Sequence, residues 1–196
     1  MRLVLASASP RRTAILDTLG LPHEVDPADV DESLRPGESA EQYVKRLAEA
    51  KAAVVAGRHV GAFVLAGDTT VVRDDEILGK PADDDEAVAM LCSLAGRQHR
   101  VLSGLALAMP GGGIHARVDE ARVFFRSFDA SLARAYVATG EPVGKAGAYA
   151  IQGQGGALVT RVEGDYSTVV GLSIAGLVAL LEAVGQPYRF QGAAGA

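Results

Sequence analysis

The hydrophobic pattern of this chain changes period repeatedly, and each change marks an element. Residues 2–6, RLVLA, form a short apolar run of the kind a buried strand shows. Ile15, Leu16 and Leu19 then recur at helical spacing, so a helix is predicted over residues 10–19 with Gly20 as its stop. Residues 26–38, DPADVDESLRPGE, are acidic and proline-marked and read as a loop. A second helix is predicted from near Ser39 to about Gly57, opened by Ser39 and Gln42 as a capping box. Its core-facing stripe is Val44, Leu47, Val54 and Val55. Phe63 to Ala66 reads as a buried strand ending at Gly67, followed by Asp68 and Thr69, with the apolar pair Val71-Val72 just beyond.

The second half continues the alternation. A helix with an acidic first turn is predicted over Asp83–Leu94, strands over 100–109 and 117–126 around the turn signal Pro110-Gly111-Gly112-Gly113, and a helix over Ala130–Thr139. Gly144 to Gly156 reads as a glycine-rich loop, followed by a hairpin turning at Gly164-Asp165. Ile174–Val184 is the last predicted helix, and a frayed tail is expected from about residue 188 to 196. No internal repeat or linker interrupts this order. A single α/β domain over residues 1–196 is expected, with a mixed central sheet, flanking helices and room for two lobes.

Composition narrows the function classes. The net charge of −5 argues against general binding to a nucleic acid polymer or an anionic membrane, while leaving room for a local basic pocket. The longest apolar stretch, Val169 to Leu181, is shorter than the ~18 residues of a membrane-span candidate and is broken by Gly171 and Ser173. Cys92 is the only cysteine, so no intrachain disulfide can form, and its neighbours Met90-Leu91-Cys92-Ser93-Leu94 read as a helix core. A cytoplasmic protein is expected.

Several residues stand out against this frame. In SASPRR, Ser9 is a favourable N-cap and Pro10 a favourable first helical residue, which places Arg11 and Arg12 in the first turn. A helix prefers acids there. The pair is either an ordinary solvated helix start or two guanidinium forks serving an anion at the helix N-terminus. Lys51 falls on the apolar stripe of its helix, four residues after Leu47, where it must either snorkel outward or meet a buried anion. Asp68 stands at the carboxyl end of a predicted strand, the place where open α/β sheets bind ligands. Glu32, within the acidic loop, and Lys80, in Leu78-Gly79-Lys80-Pro81, are by themselves ordinary surface charges.

Other chemistries lack their motifs. Gly140 to Lys145 spells GEPVGK, one residue short of a P-loop, with Ala146 in place of Ser/Thr. No G-x-G-x-x-G follows a strand, no H-E-x-x-H or G-x-S-x-G is present, and the four histidines are scattered. What remains is a set of cations and carboxylates suited to a polyphosphate bound with a hard divalent metal.

The set SASPRR, VDES, the lysine of AEAKA, AGDT, GKP and AGAYAIQG resembles the Maf-type nucleoside triphosphate pyrophosphatases, from Leu3 to about Leu181. The resemblance implies an α/β fold with two lobes around a cleft, similar to inosine triphosphate pyrophosphatases. It implies hydrolysis of a nucleoside triphosphate to the monophosphate and pyrophosphate with Mg²⁺ or Mn²⁺ as cofactor. It makes Asp68 the proton acceptor, and matches Ser7, Arg12, Glu32, Lys51 and Lys80 to family active-site positions. The candidate metal ligands are Asp68 and Glu32, with Glu32 as metal ligand or second carboxylate, since the sequence does not divide these roles. Arg11, Thr69 and Gln152 match the positions marking the dTTP- and UTP-hydrolysing branch; the branch resembling 7-methyl-GTP pyrophosphatases has Trp before the arginine and lacks A-Y-x-I-Q-G. Two departures are visible: Ala150 where relatives often have Gly, and Ser173 where they often have Pro. Ala150 implies that this backbone position needs no positive φ. A homodimer is a family-level expectation. The alternative reading is a nucleotide-binding regulator of cell division or septum formation with little catalysis.

Overall fold

Leu3–Leu5 forms β1 at the predicted place, and the sheet grows on either side of it in a computed structural model that describes residues 1–190. The elements that follow are α1 (Pro10–Thr18), β2 (Glu24–Val25), α2 (Ala40–Ala56), β3 (Phe63–Arg73), β4 (Glu76–Leu78), α3 (Asp84–Leu94), β5 (Gln98–Ala108), β6 (Ile114–Phe125), α4 (Ala130–Val137), β7 (Val159–Gly164), α5 (Tyr166–Val170) and α6 (Ile174–Ala183). The strand order is β2-β1-β3-β5-β6-β7, with β4 paired to β3. β1 lies parallel to both β2 and β3, whereas β3–β4 and β6–β7 are antiparallel, so the sheet is mixed. No helix among the described residues is long and apolar enough to cross a membrane.

The chain divides into two compact units. The first comprises Met1–Asp68, Ser103–Asp119 and the segment from Gly171. Its apolar core joins Val4 and Ala6 of the first strand region and Val64 and Ala66 of β3 to Ala48, Ala52 and Val55 of α2. Helix α2 approaches very closely: a Cβ at Gly104 of β5 would collide with the Val44 carbonyl. The second unit comprises Thr69–Leu102 and Glu120–Val170. There α3 packs against α4, and Leu91, Leu94, Val101, Val123, Phe125 and Tyr149 share one core cluster.

Some expectations are corrected. The strand does not end at Gly67; β3 runs without interruption through Asp68 to Arg73. Gly67 stays extended and leaves space, since a Cβ there would lie 3.2 Å from Arg12 Nε and 3.3 Å from the Gly104 carbonyl. Gly164-Asp165 is not a hairpin turn: β7 pairs with the preceding β6, and Asp165 instead accepts from the Ser167 backbone N–H at 2.8 Å as α5 begins. Cys92 is exposed, because only Ala87, Val88, Leu91 and Leu94 face inward from α3. Val54 is likewise exposed, its inward place taken by Ala48 and Ala52. A continuous apolar run on a helix covers every face, and only the i, i+3/i+4 stripe is buried. Of the expected tail, residues 191–196 lie outside the described residues, while the Tyr188 hydroxyl donates to the Leu19 carbonyl at 3.0 Å.

Candidate active site

Two periodicities bring Lys51 and Asp68 together. Side chains two apart on a strand share a face, so Asp68 follows Val64 and Ala66 toward α2. Side chains three and four apart share a helix face, so Lys51 follows Leu47 and Ala48 toward the sheet. Lys51 is only 8% exposed, and its Nζ donates to Asp68 Oδ1 at 2.7 Å. The same Nζ lies 2.6 Å from Glu32 Oε1. The lysine of the apolar stripe therefore meets anions rather than snorkelling out, and one ammonium bridges two carboxylates.

From the acidic loop, Glu32 reaches this cluster, while two of its neighbours are engaged elsewhere. Asp26 pairs with Arg58 at 3.0 Å and His59 at 2.9 Å. Asp31 turns back to accept from the Ser33 backbone N–H at 2.9 Å. Glu32 reaches Lys51, and its own backbone carbonyl accepts from the Tyr43 hydroxyl at 2.9 Å. Tyr43 was not singled out by the sequence; its i, i+4 relation to Leu47 on α2 is the only signal that it looks toward the same side. Burial, then the charges of Asp68 and Glu32, raise its pKa.

Arg12 occupies the turn where α1 leaves the sheet. Ser9 takes the N-cap position and Pro10 the first turn, but the Ser9 side chain makes no cap hydrogen bond. Arg12 Nη1 donates to Ser7 Oγ at 2.8 Å and Nε to the Gly171 carbonyl at 2.8 Å. Ser7 Oγ also accepts from the Ser9 N–H at 3.2 Å, which leaves its hydroxyl proton as the donor. Burial lowers the Arg12 pKa, opposed by Asp68 and Glu32, and burial lowers that of Arg11. Both remain cations at neutral pH. Ser7, Arg12, Glu32, Lys51 and Asp68 thus form one constellation within the first unit, with Arg11 beside Arg12 on α1.

Thr69, Lys80 and Gln152 belong to the second unit. The GKP turn and the AGAYAIQG stretch meet there, because the Gly147 N–H donates to the Gly79 carbonyl at 3.1 Å. Ala148 has φ +59° and Ala150 does not take a positive φ, so the left-handed turn falls two residues before the substituted glycine position. The loop bearing the exposed Gln152 is held from behind. Ala150 N–H donates to the Tyr136 hydroxyl at 3.1 Å, and Gln154 N–H donates to the Glu141 carboxylate at 2.8 Å. Burial, with the neighbouring Glu141 charge, pushes the Tyr136 hydroxyl up to about 12, so it stays protonated. Neither Tyr136 nor Glu141 was singled out by the sequence, since nothing local marks a residue whose partners lie a loop away.

The fold and this constellation define a mixed α/β protein with a carboxylate pair bridged by an ammonium, next to a guanidinium–hydroxyl pair, the kinds of group that phosphate chemistry uses. The chain belongs to the family described as Maf-like protein, whose model matches residues 2–184. It is 54% identical over 185 residues to the dTTP/UTP pyrophosphatase of Myxococcus xanthus (strain DK1622), covering 94% of this chain and 93% of that one. It is 49% identical over 177 residues to the dTTP/UTP pyrophosphatase of Desulfotalea psychrophila (strain LSv54 / DSM 12343), covering 90% of this chain and 91% of that one. Among solved structures, the Staphylococcus aureus Ham1 protein aligns with 64% of this chain and 72% of its own at TM-score 0.45 and 14% identity.

Proposed function

We propose that this protein is a nucleoside triphosphate pyrophosphatase that hydrolyses dTTP and UTP to the monophosphate and pyrophosphate. The observation that carries the reading is the convergence of Glu32 and Asp68 on Lys51, in a chain about half identical to proteins named dTTP/UTP pyrophosphatase. A triphosphate brings about four negative charges to a protein that is itself −5, so its site must concentrate cations. Arg11, Arg12, Lys51 and Lys80 supply them in this reading.

Asp68 accepts a proton from water as the water oxygen bonds to the α-phosphorus. The bond from the α-phosphorus to the bridging oxygen breaks, and pyrophosphate leaves with its charge met by the cationic side chains. Ser7 donates its hydroxyl proton to a phosphate oxygen, and Arg12, held by Ser7 and Gly171, brings its guanidinium charge to the phosphates. Among the described residues no group of three or more His, Cys, Asp and Glu side chains is placed to hold a metal. Two carboxylates do suit Mg²⁺ or Mn²⁺, which take one or two protein carboxylates and complete their shell with phosphate oxygens and water. Asp68 and Glu32 would hold such an ion, which supplies charge neutralisation on the phosphates. Thr69 and Gln152 read the pyrimidine in this scheme; Gln152 can both donate and accept.

Incubation with a nucleotide panel and Mg²⁺ or Mn²⁺, followed by product identification, tests the reading. Monophosphate plus pyrophosphate, with dTTP and UTP turned over fastest, is the expected outcome. Diphosphate plus orthophosphate overturns the bond assignment, and the absence of turnover favours a binding protein without catalysis.

A further inference from the structure

Glu32 has an unusual placement for a group asked to act with sub-ångström accuracy. It stands in an exposed segment with no regular secondary structure between Val25 and Ala40, and its side chain is 43% exposed. Asp68, by contrast, is fixed by a strand. One ion pair to Lys51 does not order such a segment, because every backbone residue held in one conformation loses conformational entropy.

Helix α2 provides further holds. The Tyr43 hydroxyl donates to the Glu32 carbonyl at 2.9 Å, and Arg46 Nη2 donates to the next carbonyl, that of Ser33, at 3.0 Å. Arg46 also grips the far end of the segment, with Nε 2.5 Å from Glu38 Oε1 and Nη2 2.7 Å from Glu38 Oε2. Glu38 in turn accepts from the Arg35 N–H at 3.1 Å, closing the turn between them. The guanidinium lies 5.6 Å from the centre of the Tyr43 ring, so the two side chains brace each other. The Glu38 side chain is only 8% exposed and that of Arg46 19%, so this pair is set into the protein rather than waving in solvent. Arg46's hydrogen bonds hold the Glu38 carboxyl down at about 2, so the grip persists across the neutral range.

We propose that Tyr43 and Arg46 are positioning residues: together with Glu38 they lock residues 32–38 onto α2, and so hold the Glu32 carboxylate where Lys51 and Asp68 meet it. Neither touches the reacting atoms. The inference rests on the proposed function, since it takes Glu32 as part of the machinery. Lys51 and both holds lie on one helix, so α2 acts as a ruler: Lys51 sets where Glu32 must arrive, and Tyr43 and Arg46 deliver it. A charge-paired, planar guanidinium suits this task because one group can bind a carboxylate with two hydrogen bonds and still spare a donor for a carbonyl.

The test uses the full chain and two readouts. Amide hydrogen exchange is compared for wild type, Tyr43→Phe and Arg46→Met. Faster exchange confined to residues 31–38 is expected, larger for Arg46→Met. Turnover of dTTP is measured for the same proteins alone and in a Glu32→Gln background. A displacement of about 1 Å can cost about 10²-fold, so kcat/KM should fall about ten- to a hundredfold in Arg46→Met and by less in Tyr43→Phe. If these residues act through Glu32, the loss disappears when Glu32 is already Gln. Unchanged exchange in residues 31–38 overturns the lock. A rate loss of equal size in the Glu32→Gln background overturns action through Glu32. Wild-type turnover in Glu32→Gln alone counts against the function assigned to Glu32, and exchange then still judges the lock. Tyr43→Phe, which removes one hydroxyl, keeps the test alive should Arg46→Met fail to fold.

Discussion

Asp68 sits in the middle of a strand, so its carboxylate cannot drift as a loop residue would. Asp68→Asn keeps size and shape and removes the proposed proton acceptor. Turnover should fall by about 10²–10⁴-fold, with the circular dichroism spectrum unchanged; near-native turnover of the purified variant would refute the assigned role. A different residue is expected to contribute to acid sensitivity. His99 is 3% exposed, its Nε2 pairs with the Tyr149 hydroxyl at 2.8 Å, and its Nδ1 has no hydrogen-bond partner among the described residues. Phe125 and Tyr149 meet its ring edge-on. Burial pushes the His99 pKa down from 6.5 to about 4. The unfolded chain therefore binds a proton that the folded one refuses, and stability falls as pH drops from about 6.5 to about 4. At about 1.4 kcal/mol per pKa unit the loss is roughly 3 kcal/mol. His99→Gln should remove that component, so urea midpoints at pH 7 and pH 4.5 should differ less in the variant than in wild type; an equal difference would assign the acid sensitivity elsewhere.

Elements were readable to different degrees. Helix α2 was predictable almost to its ends, because its capping box is spelled locally: Ser39 Oγ accepts from the Gln42 N–H at 3.2 Å and the Gln42 side chain accepts from the Ser39 N–H at 2.9 Å. Strand β2 went unseen, since two residues carry no period. The continuity of β3 through Gly67-Asp68 was hidden too, because a glycine reads as a stop when its neighbours in space are unknown. Those neighbours make Gly104 the element-level weak point. An added methyl would strike the Val44 carbonyl and come within 3.0 Å of Lys45 N, both backbone atoms with no rotamer to escape into. Gly104→Ala should lower stability by about 1–3 kcal/mol in urea titration and reduce turnover further, because α2 carries Lys51. Wild-type stability and rate would mean that the helix can retreat without cost.

At the scale of the molecule, the residues matched to the family divide between the two compact units: the carboxylates, Lys51 and the arginines in the first, and Thr69, Lys80 and Gln152 in the second. Gln152 is exposed on a loop held by Tyr136 and Glu141, so its substitution should alter selectivity and leave the fold intact. In Gln152→Ala the ratio of dTTP to 7-methyl-GTP hydrolysis should fall by about tenfold, the worth of one hydrogen bond, and an unchanged ratio would remove Gln152 from base recognition. The sequence by itself determined the α/β class, most helices, and the candidate residues of the proposed polyphosphate site, because periodicity, caps and motif spacing are local. It also showed that Lys51 and the Arg11-Arg12 pair were out of place for ordinary packing. Only the tertiary structure decided their partners. Which acid of the 26–38 loop meets Lys51, which hydroxyl and carbonyl take Arg12, and which helix side chains hold the Glu32 segment all depend on residues far apart in the chain. Those distances are set by how α2 seats on β3 and β5, a packing outcome that no short window of sequence contains.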